Sequence, residues 1–179
     1  MVKVLVSACL LGAPVRYNGQ DKKSSHPLLE RWIAEGRVVS ACPEVLGGLG
    51  TPRAPAEVVQ IEGLRRVVAK TGRDVTAEFD RGAGIALDQA IANDVRVAVL
   101  KEGSPSCGST WIYDGSFSGA RVPGAGVAAS LLRSRGILVF SEDEIERADA
   151  ALAEIERRER RQDYDRAGGG PRQSKGGRQ

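Results

Sequence analysis

The sequence predicts an α/β fold, a Rossmann-like three-layer sandwich with a mostly parallel sheet and a small hairpin insertion. Three observations predict it. Short β-branched apolar runs alternate with stretches of helical periodicity, the pattern of strands joined by helical crossovers. Those runs pass into turns built from Gly, Ser and Pro. The 179 residues suit one domain with a hydrophobic core of its own.

Val2-Lys3-Val4-Leu5-Val6 reads as a buried strand feeding a loop. Residues 10–26 hold Gly12, Pro14, Asn18, Gly19, Ser24 and Ser25, which is turn chemistry. From His26 to Gly36 a helix is predicted, with Leu28, Leu29, Trp32 and Ile33 on one face and Gly36 as its stop. Arg37–Ser40 is the second strand. Residues 43–57 carry Pro43, Pro52 and Pro55 and read as an irregular loop; loops of that length are usually functional or disordered. Short, polar-alternating strands are expected over 57–75, around the Glu62-Gly63 and Thr71-Gly72 turns. Phe79, Ala83, Ala86, Leu87 and Ala90 place a helix from Thr76 to about Asn93. Arg96–Leu100 is the third strand, and Trp111–Phe117 suggests a hairpin around Asp114-Gly115. A helix opens after Gly124-Ala125-Gly126 and ends at Gly136, before the strand Ile137–Phe140. Ser141 with Glu144 three residues on is a capping box, starting a last helix that should run to about Arg161. Residues 1–161 thus form one domain, and 162–179 form a polar, Gly-rich tail that reads as disordered.

The charge and composition exclude several classes. The net charge is +3, and residues 167–179, with Arg172, Lys175, Arg178 and no acid, carry all of it. The body is formally neutral, without the basic stripe of a nucleic-acid binder. Aromatics are 4% of the chain, too few for a base-stacking platform. No run reaches the roughly 18 apolar residues of a membrane span. The N-terminus lacks a signal-peptide pattern, so the expected location is the cytoplasm. An odd count of three cysteines argues against a disulfide framework.

Those cysteines are the chemically informative residues. Cys9 stands in Ser7-Ala8-Cys9-Leu10-Leu11-Gly12, Cys42 in Ser40-Ala41-Cys42-Pro43-Glu44, and Cys107 in Gly103-Ser104-Pro105-Ser106-Cys107-Gly108. A free cysteine is often a small apolar filler. Three of them, each following a strand in a small-residue turn, share the carboxyl edge of a parallel sheet, where ligands bind in such folds. No CxxC pair exists, so the fold must assemble any joint site. Zinc wants four protein ligands, or three plus water, and His26 is the only histidine. An iron–sulfur cluster normally takes four cysteines; held by three, it leaves one iron open to an incoming sulfur. Both remain open on composition alone.

SACLLG, the Tyr17-Asn18-Gly19 turn, ACPEVLGGLGTPRAPAE, Gly72-Arg73-Asp74-Val75-Thr76, LKEGSPSCG and YDGSFSG together resemble the bacterial thiouracil desulfurase family over roughly residues 1–140. The resemblance implies a [4Fe–4S] cluster held by Cys9, Cys42 and Cys107, with one iron not ligated by protein. It implies removal of sulfur from a thiolated pyrimidine base, giving the oxo base and sulfide. It also favours Glu44 as general base and Ser104 as proton relay, against their bland readings as a solvated carboxylate and a turn former. Lys101 is a candidate to orient substrate or stabilise a developing anion; Asn18 and Ser106 are weaker candidates for contacts to the base. Gly124-Ala125-Gly126 lacks the full dinucleotide pattern and is discounted as a cofactor loop, which leaves the N-terminus of the following helix open to an anion. The expected partner is a small thiolated base, with a monomer or homodimer and no nucleic acid on the folded domain. The rivals are a zinc-dependent hydrolase using the same cysteines and a non-enzymatic iron–sulfur sensor or sulfide-binding module.

Overall fold

A computed structural model describes residues 1–166. The chain runs β1 (Val4–Ser7), α1 (Pro27–Ala34), β2 (Val38–Ala41), α2 (Pro43–Leu46), β3 (Ala56–Ile61), β4 (Leu64–Ala69), α3 (Thr76–Ala92), β5 (Val97–Leu100), β6 (Trp111–Tyr113), β7 (Arg121–Pro123), α4 (Val127–Ser134), β8 (Leu138–Ser141) and α5 (Ile145–Arg166). The central sheet has the order β2-β1-β5-β8 and every pairing in it is parallel.

Alternation along β1 builds both cores. Val4 and Val6 turn to one face, where Val97, Val99, Leu29, Trp32, Ile145, Ala148 and Leu152 are buried with them. Leu5 turns to the other, with Ala98, Leu100, Ala86, Leu87, Ala90, Ala129 and Leu132. Helices α1 and α5 therefore cover one face, and α3 and α4 the other, which gives the three layers. A strand buried on both faces must be apolar along its length; β5 is so throughout, and β1 is so up to its last residue, Ser7. The chain leaves β1 towards β2 under α1 and reaches β5 under α3, so the order reverses between β1 and β5. That reversal opens a crevice at the carboxyl ends of these two strands.

Several details differ from the sequence reading. The loop after Cys42 begins with the single helical turn α2, because Pro43 at its first position has its φ preset for a helix. The β3–β4 hairpin matches expectation: Glu62 and Gly63, both at positive φ, make its two-residue turn. The second hairpin does not turn at Asp114-Gly115. It pairs Trp111 with Pro123 and Tyr113 with Arg121, across the loop 114–120. The cause lies on β3, where the buried Glu57 carboxylate accepts the amides of Gly115 (2.9 Å) and Phe117 (3.1 Å) and pulls the loop outward. Helix α5 continues past Arg161 to Arg166. The rest of the expected tail, 167–179, lies outside the described residues. The Glu144 carboxylate accepts the Ser141 amide at 3.1 Å, as the capping box requires.

Helix α2 is seated on α3 by two glycines. A Cβ on Gly82 would stand 1.8 Å from the Pro43 carbonyl oxygen, and one on Gly47 would stand 2.0 Å from that of Glu78. Such contact fixes the turn bearing Cys42 and Glu44 to the longest helix of that layer. Gly82→Ala should therefore push α2 outward and cost about 1–3 kcal/mol as an overpacking strain. Urea unfolding of the variant against the wild type checks this, and an unchanged midpoint would refute the close-contact argument.

Candidate active site

A cavity of about 520 Å³ opens at the carboxyl ends of β1, β2 and β5. Cys9, Cys42 and Cys107 all line it. Cys9 sits in a 3-10 turn directly after β1, Cys42 caps α2 directly after β2, and Cys107 lies in the loop after β5. All three are free thiols; Cys9 and Cys107 are 7% and 6% exposed.

Their ionisation is unfavourable in the protein alone. Burial, and then the neighbouring Cys42, pushes the Cys9 thiol up to about 11. Burial raises Cys42 too, against opposing help from the Val45 amide. Cys107 is driven furthest up by burial, with a hydrogen bond from the Ser7 side chain working the other way. Three buried thiolates need compensating cations, so this donor set fits a metal group that supplies several positive charges. Among the described residues, no three His, Cys, Asp or Glu side chains converge on a point where one ion would sit. Three soft thiolates with no point among the described residues where a single ion would sit fit an iron–sulfur cluster better than a single zinc ion. His26 cannot complete a zinc site, because it caps α1 instead: its Nδ1 accepts the Leu28 amide at 3.3 Å and its Nε2 meets Glu146 at 3.0 Å.

Glu44 is not a solvated loop carboxylate. Arg53 Nε donates to its Oε2 at 2.9 Å and the guanidinium Nη2 bonds the same oxygen. Ser104 Oγ donates to Oε1 at 3.2 Å. The Arg53 and Glu44 side chains are 11% and 15% exposed. Arg53 also donates to the carbonyls of Val15 (3.1 Å) and Gly50 (3.2 Å), so it ties the loop after β1 and its own loop to α2. The Ser104 hydroxyl in turn accepts the amides of Ser106 and Cys107, both at 3.1 Å. Its own proton is thereby aimed at Glu44.

Lys101 lines the cavity, but its ammonium pairs with Glu142 and donates to the Glu102 carbonyl at 3.0 Å. Asn18 and Ser106 do not line it. Asn18 is exposed and spends its amide on Gln20 (2.9 Å). Ser106 is fully buried beneath the loop, its hydroxyl unpartnered among the described residues. The start of α4 holds no anion-binding vacancy, because its amides take loop carbonyls: Val127 from Pro105 (3.0 Å) and Ala128 from Ser106 (2.9 Å).

Sequence reasoning missed two residues. Arg53 lies within TPRAPAE, a proline-rich stretch where nothing local marks it as the partner of Glu44. Glu102, beside Lys101, is 7% exposed. Burial works against its ionisation, but the Ser109 hydroxyl and the amides of Thr110, Trp111 and Ser109 outweigh it and hold the carboxyl below the usual range. The outer wall of the cavity adds Tyr17, Trp111, Tyr113 and Phe117, and the cations Arg16, Lys22, Lys70 and Arg121. The Arg121 guanidinium lies 4.1 Å from the Trp111 ring centroid.

Residues 4–144 match the family model described as 2-thiouracil desulfurase. The chain belongs to the 2-thiouracil desulfurase family. It is 42% identical over 148 residues to an uncharacterized protein, YbbK, of Bacillus subtilis (strain 168), spanning 79% of this chain and 97% of that one. It is also similar to the solved structure of TudS, a [4Fe-4S]-dependent thiouracil desulfidase, with 54% identity and a TM-score of 0.81. That match covers 86% of this chain and 99% of that one. The expected family and fold class are both borne out.

The Arg53–Glu44 pair predicts an asymmetric mutational response. Arg53→Ala leaves a half-buried carboxylate without its cation and should cost roughly 3 kcal/mol. Lys22→Ala, at the exposed mouth, should stay within about 0.5 kcal/mol of wild type. Chemical denaturation of both variants decides; equal effects would show that the buried pair carries no special weight.

Proposed function

We propose that this protein is an iron–sulfur-dependent desulfurase that removes sulfur from a thiolated pyrimidine base, giving the oxo base and sulfide. The observation that carries the reading is the meeting of three thiols from three strand ends in one cavity with a Glu44–Ser104 pair beside them. The family membership and the likeness to a [4Fe-4S]-dependent thiouracil desulfidase support it. Cys9, Cys42 and Cys107 would hold a [4Fe–4S] cluster with one iron free of protein ligand. Bound there, the cluster supplies a Lewis acid for the substrate's sulfur.

The remaining chemistry falls to the chain's own side chains. The reaction exchanges a C=S bond for C=O: water adds its oxygen to the carbon, and sulfur leaves as hydrogen sulfide or its anion. No electron is gained or lost. Glu44 takes a proton from that water, and the Ser104 hydroxyl, already bonded to it, passes protons between the carboxylate and the substrate. Arg53 keeps the carboxylate in place. Lys101, held by Glu142, puts a positive charge on the wall where the base would gain negative character. Tyr17, Trp111, Tyr113 and Phe117 supply flat apolar surface for a planar heterocycle. The substrate class is thus a small flat thione, with the cytoplasm as the place of action.

Anaerobic reconstitution with iron and sulfide should give a brown protein containing about four irons per chain. Alanine at Cys9, Cys42 or Cys107 should lose that colour. Glu44→Gln should keep the iron and slow sulfide release from 2-thiouracil by about 10²–10⁴-fold. A wild-type protein that takes up zinc but no iron would sink the reading. Full activity in Glu44→Gln would remove Glu44 from its role.

A further inference from the structure

The loop from Lys101 to Trp111 carries Cys107, yet at its second residue it holds a carboxylate that the proposed chemistry does not use. Glu102 turns its side chain into the loop's own interior. Oε1 accepts the amides of Ser109 (2.8 Å), Thr110 (3.1 Å), Trp111 (3.2 Å) and Gly103 (3.3 Å). Oε2 accepts the hydroxyls of Ser109 (2.7 Å) and Thr110 (3.1 Å). The start of the loop is thereby bonded to its end, and Cys107 lies inside the closure. The backbone is drawn in tightly to allow it. Gly103, at φ +73°, has no room for a side chain: its Cβ would meet the Trp111 ring at 2.4 Å. On the outside, α4 fixes the carbonyls of Pro105 and Ser106. The thiol's position is set from within by one carboxylate and from without by one helix end.

We propose that Glu102 is the positioning residue for the third thiolate: its carboxylate closes the 102–111 loop and so sets where Cys107 stands in the cavity. The carboxylate suits this task because its two oxygens accept from many donors at once. Glutamine keeps one such oxygen and puts an amide NH₂ in place of the other; the Ser109 and Thr110 hydroxyls can rotate to accept from it, while the Thr110 amide, which also donates to Oε2 at 3.2 Å, cannot. The closure is therefore weakened in Glu102→Gln and abolished in Glu102→Ala. The consequence for iron rests on the cluster reading above, whereas loop closure itself does not.

The test uses the full-length wild type, Glu102→Gln and Glu102→Ala, each stripped of iron and treated with iodoacetamide. Peptide mass spectrometry reads the alkylation rates of Cys9, Cys42 and Cys107 separately. Cys107 should react about tenfold faster or more in Glu102→Ala, and severalfold faster in Glu102→Gln, as the loop opens locally. Cys9, on a different loop, should change by less than about twofold. After anaerobic reconstitution the same variants should hold fewer irons per chain, in the same rank order. A folded variant whose Cys107 stays as slow as wild type overturns the proposal. So does an equal acceleration of all three cysteines, which would make Glu102 a general element of the fold. Should Glu102→Ala fail to fold, Glu102→Gln decides, and its failure to fold as well would also overturn the assignment. Wild-type protein that takes up no iron refutes the cluster reading but leaves the alkylation result standing.

Discussion

The parallel register of β1, β2 and β5 is the constraint on which this site depends. Val4, Leu5 and Val6 face Val38, Val39 and Ser40 on one side and Val97, Ala98 and Val99 on the other. Because all three strands point the same way in fixed register, their last residues lie on one edge, and the turns that follow bring Cys9, Cys42 and Cys107 to a single cavity. The register is enforced by burial on both faces. A slip of one residue would exchange Val4 and Val6 with Leu5 between two different helical layers. The site thus inherits its geometry from the core and needs no local motif to assemble it.

Gathering three thiols in a buried place creates an electrostatic problem that the loops solve in part. Each thiol is raised by burial, so in the protein alone they stay protonated. Iron in place of those protons would remove the penalty, which ties loading of the site to proton release. The carboxylates nearby are handled differently. Glu44 has Arg53, and Glu142 has Lys101. Glu102 is stabilised by amides and hydroxyls of its own loop. Each of the three has a partner, yet the charge of Glu44 still adds to the rise of Cys42 and Cys107, and that of Glu142 to the rise of Cys9.

Much of the architecture was legible in the sequence because it rests on periodicity. The apolar runs of β1 and β5, the helical spacing of α3 and the Ser141–Glu144 cap each carry a local signature. The cysteines were legible because they follow those runs. What escaped depends on partners distant in the chain. Arg53 and Glu44 are both ordinary loop residues until α2 is pressed on α3. The 114–120 loop misled because Asp114-Gly115 is a strong local turn signal, while the Glu57 carboxylate that overrides it sits on another hairpin. Asn18 read as a contact on the strength of its turn, but its side chain is satisfied within that turn. Glu102 hid beside Lys101, since an acid next to a base reads as surface charge until its donors are seen.

Ser104 is where the metal-ligand loop and the acid–base pair become one structure. Its oxygen accepts the Cys107 amide while its proton goes to Glu44. Both carboxylate oxygens of Glu44 are consequently engaged, Oε2 by Arg53 and Oε1 by Ser104. On the proposed reading, Oε1 is the oxygen that takes a proton from water, because it accepts a single donor and keeps a lone pair, whereas Oε2 already accepts two guanidinium N–H groups. The Arg53 contact is charged and uses two nitrogens, whereas the Ser104 contact is one neutral donor at 3.2 Å, so protonation of Oε1 leaves the stronger contact intact. The serine hydroxyl meanwhile accepts from the Cys107 amide and stays within reach of the carboxylate. The serine's place three residues before the cysteine then has a mechanical meaning: the group that moves the proton is held by the loop that holds the thiolate.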